Sequence, residues 1–440
     1  MKNKEILFAL TDIDPKLIEE CENQSKKRGK ILRYALIAAV AVLLVCGVVA
    51  GAIIANRKAP VDKPEPTPVE TKTAEGEETT QTSAPATETT PTEPVKRTPQ
   101  QTVKDYESGL IFALNDDKDE YTVIGICDPD KTEIVIPESY DGIPITTLMK
   151  ENLVEGTDVA TLVINKYIDT IYAPAFFSEK PLLIAVNNEN PYYYCAGNCL
   201  IDRRDHSIVR GFAFSEIPDD GSVTRIGAHA FEHCHDLTKI VIPESITVID
   251  YQAFSDCTSL SSVTLPKNLT EIWGTAFSGC TSLKSIELPA GLKFLDWGVF
   301  SRCTALEEIV LPDKLEELSY MLFCDCTALR KVTLGAGIKN IHPHAFVGCT
   351  SLNEIVFNDG LLSIDHSAFV ECDSLPSIRL PASIKSLAHT ALFDVKEVFY
   401  AGTMEEWSKI VCTDNGKEIL YPVKVIHCSD GDFVVDNYSE

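Results

Sequence analysis

Residues 249–260 read Ile-Asp-Tyr-Gln-Ala-Phe-Ser-Asp-Cys-Thr-Ser-Leu, and the same pattern returns every 23 residues along the chain. A fixed period of this length is typical of a solenoid, in which a single coil cannot bury its own apolar side. We therefore expect the recurring phenylalanines and cysteines to form a continuous core ladder. The ladder residues are Phe231, Cys234, Phe254, Cys257, Phe277, Cys280, Phe300, Cys303, Phe323, Cys326, Phe346, Cys349, Phe369 and Cys372.

Each coil is predicted to hold one strand and one turn. Residues 237–243 alternate apolar and polar side chains and end in Pro243, which is typical of a strand. Ala253 and Phe254 are expected on a helical turn or short helix. Stacked coils would align their strands as a parallel sheet. The sequence thus predicts an α/β solenoid with one parallel strand and one short helical turn per 23-residue coil.

This repeat resembles the BspA-like class of leucine-rich repeats, closely over residues 226–390 and loosely over 105–440. The resemblance implies a leucine-rich-repeat fold on a bacterial surface protein that binds without catalysis, and it assigns no ligand residue. The pattern departs at Val299, Leu322, Gly335 and Asn358, which changes local packing only. The matching framework is Ile249, Ala253, Phe254, Cys257, Leu260, Val263, Leu265, Pro266, Leu269 and Ile272.

The regular coils are predicted over residues 226–393, between two less regular regions. Residues 105–225 are expected to form divergent coils with an inserted β-hairpin, because residues 187–214 interrupt the period around a charged turn. Residues 394–440 are expected to cap the final open face, which a solenoid requires for solubility.

The first part of the chain has the composition of a membrane anchor and a stalk. Residues 34–55 carry no charge, and 22 residues are enough to cross a bilayer core. We expect a cytoplasmic leader at 1–30, a transmembrane helix at 31–56 and a disordered Pro/Thr/Glu-rich stalk at 57–104, which places the C-terminal domain outside the cell. A cleaved signal peptide is the competing interpretation.

The formal charge of −26 is unevenly spread. Residues 1–58 carry ten Lys/Arg and six Asp/Glu, a net of +4, so residues 59–440 carry −30. A field of this sign repels nucleic acid, and no nucleic-acid partner is expected. It also keeps the chain soluble.

Seven of the fifteen cysteines belong to the ladder, where they are expected to act as buried apolar side chains. Two further pairs, Cys195 with Cys199 and Cys412 with Cys428, could each form a disulfide, and the sequence leaves this open. Histidines cluster at 229–235 and again at His342, His344, His366 and His389. Exposed turn histidines fit this pattern as well as zinc ligands do, so no metal or cofactor is predicted.

Two surfaces are candidates for ligand contact. One is the aromatic column of Tyr251, Trp297 and Tyr320 with neighbouring Trp273, which suits either packing between coils or an interface. The other is the outer face of the sheet, where mixed charges without aromatic residues fit a protein-binding face or a merely solvated one. Its candidate residues are Lys239, Thr264, Glu287, Glu308, Lys331, Glu354 and Arg379.

The chain shows no nucleophile elbow, phosphate loop or zinc-protease motif, so we do not expect an enzyme. The anchor, stalk and repeat together predict a surface adhesion module whose partner is an extracellular protein or glycan. A membrane-spanning sensor that signals through residues 1–30 is the alternative.

Overall fold

The computed structural model describes residues 102–177, 182–388, 390–412, 423 and 425–434. All of them fall in the compact unit of residues 94–440. The expected leader at 1–30, transmembrane helix at 31–56 and nearly all of the stalk at 57–104 lie outside the described residues. Within the described ranges, none of the helices has the length and apolar character that a bilayer crossing requires.

The strands before the regular coils form a meander and then short parallel sheets. Their bounds, in chain order, are β1 (Thr102–Asp105), β2 (Leu110–Leu114), β3 (Tyr121–Ile126), β4 (Glu133–Val135), β5 (Ser139–Tyr140), β6 (Ile143–Leu148), β7 (Thr161–Ile164), β8 (Thr170–Ile171) and β9 (Leu183–Val186), with a 3-10 helix at Ala173–Phe176. Strands β1, β2 and β3 are antiparallel, and β3 runs parallel to β6. Strands β4, β7 and β9 are parallel, as in a solenoid.

A hairpin follows and connects to the regular coils. It comprises β10 (Tyr193–Ala196), β11 (Cys199–Asp202) and β12 (Ser207–Arg210). Strand β11 is antiparallel to both β10 and β12, and β12 runs parallel to β13 (Arg225–Ile226). The buried guanidinium of Arg210 donates hydrogen bonds of 3.1 Å to the carbonyls of His229 and Glu232. These bonds tie the hairpin to the first regular coil.

Most of the regular coils contain two parallel strands, not the single strand that the sequence predicts. The first strand follows the ladder leucine and the second precedes the ladder phenylalanine. The coil at 283–305 lacks the first strand. The strands are β14 (Lys239–Val241), β15 (Val248–Ile249), β16 (Ser262–Thr264), β17 (Glu271–Ile272), β18 (Phe294–Leu295), β19 (Glu308–Val310), β20 (Glu317–Leu318), β21 (Lys331–Thr333), β22 (Asn340–Ile341), β23 (Glu354–Val356), β24 (Ser363–Ile364), β25 (Ser377–Leu380) and β26 (Ser386–Leu387). The second strands escape pattern analysis because two residues are too few to show alternation.

The segment around each ladder phenylalanine is a series of turns, so the predicted helical turn is wrong. Residues two positions before and after it have positive φ, for example Gln252 at 53° and Asp256 at 55° around Phe254. A left-handed residue interrupts a right-handed helix. The Phe254 amide instead donates to the Ala276 carbonyl of the next coil at 2.8 Å.

The ladder phenylalanines are fully buried and form one stack of rings. Neighbouring centroids lie 5.1 to 6.0 Å apart, and the ring planes differ by 3° to 12°. The stack begins against Gly211, where an added Cβ would lie 2.3 Å from the Phe231 ring. The apolar column is therefore continuous from the hairpin to the coil of Phe369.

The described end of the chain covers the last regular coil. It consists of β27 (Glu397–Tyr400), α1 (Met404–Trp407), β28 (Val411–Cys412), β29 (Val425–Cys428) and β30 (Gly431–Val434). Thr403 and Glu406 form a capping box at the start of α1. Strands β25, β27 and β29 are parallel, and β30 returns antiparallel to β29.

Candidate protein-binding surface

The predicted ligand face lies on the first strands, and the structure brings its residues together in two outward columns. Lys239, Glu308, Lys331 and Glu354 stand in one column, at the start of their strands. Thr264 and Arg379 stand in the other column, at the third residue of β16 and of β25, and Glu287 occupies the equivalent position in the coil that lacks the first strand. Intervening residues such as Ile309 and Val332 point into the core. All seven candidates are at least partly exposed to solvent.

Several charges on this face are paired with one another. The Lys331 Nζ lies 2.7 Å from the Glu354 Oε1 atom of the next coil. Arg330 and Glu307, which directly precede β21 and β19, form a second ion pair. Exposed pairs of this kind typically contribute ~0–1 kcal/mol to stability, and their charges are partly satisfied before any partner arrives. The charged column is therefore better suited to orienting a partner than to anchoring it.

The second column carries exposed valines, which the sequence analysis did not select. Val241, Val310 and Val356 have exposed fractions of 69%, 66% and 40%. Val310 and Val356 flank Thr333 in parallel register across β19, β21 and β23. The alternation in each strand and the 23-residue period together predict an aligned apolar outer position, and the structure shows how far each valine is exposed.

Three planar side chains continue this column at its C-terminal end, and we call them the planar stack. The Arg379 guanidinium lies 4.7 Å from the centroid of the Phe399 ring. Phe399 and His427 have centroids 4.7 Å apart and planes 21° apart. Arg379, Phe399 and His427 are register partners across β25, β27 and β29. The His427 Nδ1 atom lies 2.8 Å from Asp432 Oδ1, which holds the imidazole ring in place.

Sequence analysis missed the planar stack because the period fails there. Phe399 follows Arg379 by 20 residues rather than 23, so it aligns with no column of the repeat. The available signal was local: Val398 and Tyr400 are buried, and alternation then places Phe399 on the outer face.

An open groove lies on the early coils, apart from the planar stack. Its volume is about 610 Å³, and it is lined by residues that include Val135, Val163, Asn165 and Val186. The Asn165 amide group donates to the Pro137 and Ile145 carbonyls, and its oxygen accepts two backbone hydrogen bonds. The amide of Asn165 thus has its donors and its acceptor engaged in backbone hydrogen bonds that hold the turn, so it supports structure rather than ligand binding.

The cysteines whose side chains the structure describes are free thiols, and Cys412 is not among them. Cys195 is the register partner of Leu200, and Cys199 is the partner of Ala196. Alternation along a strand therefore places the two thiols on opposite faces of the hairpin, which rules out a disulfide between them without backbone rearrangement. Burial raises the pKa of the ladder thiols, that of Cys303 to about 12. Such a thiol is a weak nucleophile near neutral pH.

The histidine clusters make contacts with carboxylates in the structure. His229 Nδ1 lies 2.6 Å from Glu232 Oε2, and His342 lies between Glu317 at 3.0 Å and Asp365 at 3.6 Å. His389 lies outside the described residues. In the described part of the chain, no group of three or more His, Cys, Asp or Glu residues is arranged to hold a metal ion.

Residues 212–330 and 319–406 match the family model described as BspA type leucine rich repeat region, in six copies. Three solved structures are similar to this chain. A leucine-rich repeat protein from Eubacterium ventriosum is 17% identical, with 74% of this chain and 98% of that chain covered and a TM-score of 0.44. The pneumococcal vaccine antigen PcpA is 18% identical, with 69% of this chain and 82% of that chain covered and a TM-score of 0.41. A leucine rich cell surface protein from Faecalibacterium prausnitzii is 20% identical, with 72% of this chain and 99% of that chain covered and a TM-score of 0.39. No curated protein matches the sequence.

Proposed function

Because residues 212–406 match the model of the BspA-type leucine-rich repeat region, we propose that the chain is a non-catalytic protein-binding module. One observation carries the proposal: the planar stack of Arg379, Phe399 and His427 extends the exposed valine column on the outer face. The centres of protein-binding surfaces are enriched in aromatic residues and arginine and depleted in lysine and carboxylates.

The chemistry of this column suits a binding hot spot. Aromatic and arginine side chains contribute most to affinity when a partner covers them, because they bury large areas at little conformational cost. The Arg379 guanidinium is already held against Phe399, so less side-chain freedom is lost on binding. The neighbouring ion pairs of Lys331 with Glu354 and Arg330 with Glu307 supply a polar rim.

The proposal is tested by screening the full-length chain in neutral detergent against extracellular proteins and glycans, and then comparing variants on each protein that binds. Arg379→Ala and Phe399→Ala should each weaken binding at least tenfold, as expected for hot-spot residues. Ser262→Ala, on the same face but outside the column, is the matched control and should change affinity less than twofold. Unchanged affinity in both column variants, for every protein that binds, contradicts the assignment.

We further propose that this module is displayed outside the cell on an anchor at residues 31–56 and a stalk at 57–104, where it mediates adhesion. The support is the uncharged run of 22 residues at 34–55 and the basic residues before it. Cell fractionation should place the full chain in the membrane and a chain lacking residues 31–56 in the soluble fraction. Deletion of residues 105–440 should abolish adhesion of cells that display the protein. A membrane-bound chain without residues 31–56 contradicts the anchor.

A further inference from the structure

A second exposed surface lies on the second strands, and it contains two of the three tryptophans of the chain. Trp273 directly follows β17, and Trp297 follows β18 by two residues. Their rings are half-buried, so each keeps part of its surface open to solvent. We call Tyr251, Glu271, Trp273, Phe294, Asp296 and Trp297 the aromatic-acidic face.

The rings of this face meet in two pairs. The Trp297 ring lies over Gly274, where an added Cβ would be 2.7 Å from the indole Nε1 atom, and it thereby approaches Tyr251 at 6.1 Å between centroids. Trp273 and Phe294 have centroids 5.0 Å apart. Their planes are inclined by 46° and 57°, so the four rings form a rough surface rather than a flat platform.

Carboxylates lie among the rings. Glu271 Oε2 accepts a hydrogen bond of 3.1 Å from the Trp273 indole, and Asp296 Oδ2 accepts one of 3.1 Å from the Gly274 amide. Burial raises the pKa of Asp296. In the described part of the chain, neither carboxylate forms an ion pair with a lysine or arginine, unlike Asp250, which Arg225 neutralises at 2.9 Å.

This combination is the one that recognises an organic cation. An aromatic face attracts a cation through its quadrupole, most strongly at tryptophan, and an adjacent carboxylate adds charge attraction. The described chain places no lysine or arginine over Trp273, Phe294 or Trp297, whereas Arg379 does lie over Phe399 on the first-strand surface. The inclined rings disfavour a flat sugar as the occupant. We propose that the aromatic-acidic face binds an exposed arginine side chain of a protein partner, independently of the planar stack.

The test uses the full chain in neutral detergent and tetra-arginine amide as the probe, with binding followed by tryptophan fluorescence and by calorimetry. Glu271→Gln removes one carboxylate without changing side-chain volume and should weaken binding severalfold. Trp273→Leu should weaken it about tenfold, because the cation loses its strongest aromatic partner. Glu155→Gln, which removes the same charge from an exposed turn of the early coils, is the matched control and should leave affinity within twofold of the wild type. Circular dichroism of each variant checks that the fold is retained.

Two results would overturn the proposal. Equal weakening by Glu271→Gln and Glu155→Gln, with no effect of Trp273→Leu, would assign the binding to the overall negative charge of the domain. Binding of cellohexaose but not of tetra-arginine would assign the face to sugars. Either result leaves the planar stack untouched, because that surface is tested by Phe399 and Arg379.

Discussion

At the scale of single residues, the ladder cysteines act as hydrogen-bond donors as well as apolar side chains. The thiol of Cys303 donates to the Phe277 carbonyl of the preceding coil at 3.1 Å. Five other ladder thiols do the same to the phenylalanine 26 residues earlier, at 3.0 to 3.3 Å. An alanine would leave these carbonyls with less hydrogen bonding, and a larger apolar residue would not fit a fully buried site.

Cys303→Ala should therefore lower the free energy of unfolding by about 1–2 kcal/mol, from the lost hydrogen bond and the small cavity. Cys303→Ser should recover part of this loss, because the hydroxyl can donate to the same carbonyl. Urea unfolding followed by circular dichroism measures both changes. Cys324→Ala, at a half-buried thiol outside the ladder, is the control and should cost less. A serine variant no more stable than the alanine variant would show that the thiol acts by its volume alone.

Gly279, two residues after Phe277 and in a left-handed conformation, must be a glycine because Asp256 lies against it. Gly279 has a φ of 71°, and an added Cβ would lie 2.1 Å from Asp256 Oδ1. Because Gly279 has no side chain, the Asp256 carboxylate stays accessible to Arg302, two coils away, whose guanidinium lies 3.3 Å from it. Gly279→Ala should lower the free energy of unfolding by about 1–3 kcal/mol through backbone strain and the contact. Gly221 has a φ of 84° with no atom near an added Cβ, so Gly221→Ala isolates the backbone cost. Equal losses of unfolding free energy in the two variants would show that the contact with Asp256 adds nothing to the backbone cost.

At the scale of elements, up to three segments hold each coil to the next. Two are the short parallel strands, and the third is the turn segment, whose amides donate to the carbonyls of the following coil. The phenylalanine stack lies between them. Since no segment is longer than a few residues, the coils have little stability of their own and depend on their neighbours.

Phe300→Ala removes the ring at the centre of the stack and should cost about 3–5 kcal/mol. Because each coil contacts only its neighbours, the loss should also divide urea unfolding into two transitions, one for each side of the gap. Circular dichroism and tryptophan fluorescence should then report different midpoints, since Trp273 and Trp297 both precede Phe300. Phe294→Ala, at a half-buried ring outside the stack, is the control. Coincident midpoints with a loss below about 1 kcal/mol would contradict the nearest-neighbour description.

His344 should make stability depend on pH. Burial lowers the pKa of His344 below its ordinary value of 6.5, and the nearby His366 adds to this effect. The unfolded chain therefore takes up the proton first, so stability is complete above about pH 6.5 and is lost as the pH falls through the lowered value. His344→Gln should reduce the fall in urea midpoint between pH 7 and pH 5. Gln252 occupies the equivalent left-handed position two residues before Phe254, so glutamine suits the backbone there. His235→Gln is the control. If the urea midpoint of His344→Gln falls as steeply between pH 7 and pH 5 as that of the wild type, His344 is not the source of the pH dependence.

At the scale of the whole repeat unit, the last described strands close an open sheet edge. Strand β27 pairs with β29, which pairs in turn with β30. A chain that ends at residue 422 should expose the edge of β27 and associate through it, because unpaired strand edges recruit other strands. Light scattering should show oligomers of the shortened chain under conditions in which the full chain is monodisperse. A monodisperse shortened chain with an unchanged melting temperature would show that β29 and β30 are dispensable.

The sequence by itself determined the solenoid. A 23-residue period and strict positions for Phe254, Cys257 and Leu260 leave one way to bury the apolar side of each coil, namely against the next coil. Tertiary structure alone decided the second strands and the turn conformation, because strands of two residues and left-handed histidine, glutamine or aspartate residues carry no strong local signal. It also decided the planar stack: Phe399 and His427 lie outside the period that contains Arg379, and only parallel stacking of β25, β27 and β29 brings the three side chains to one face.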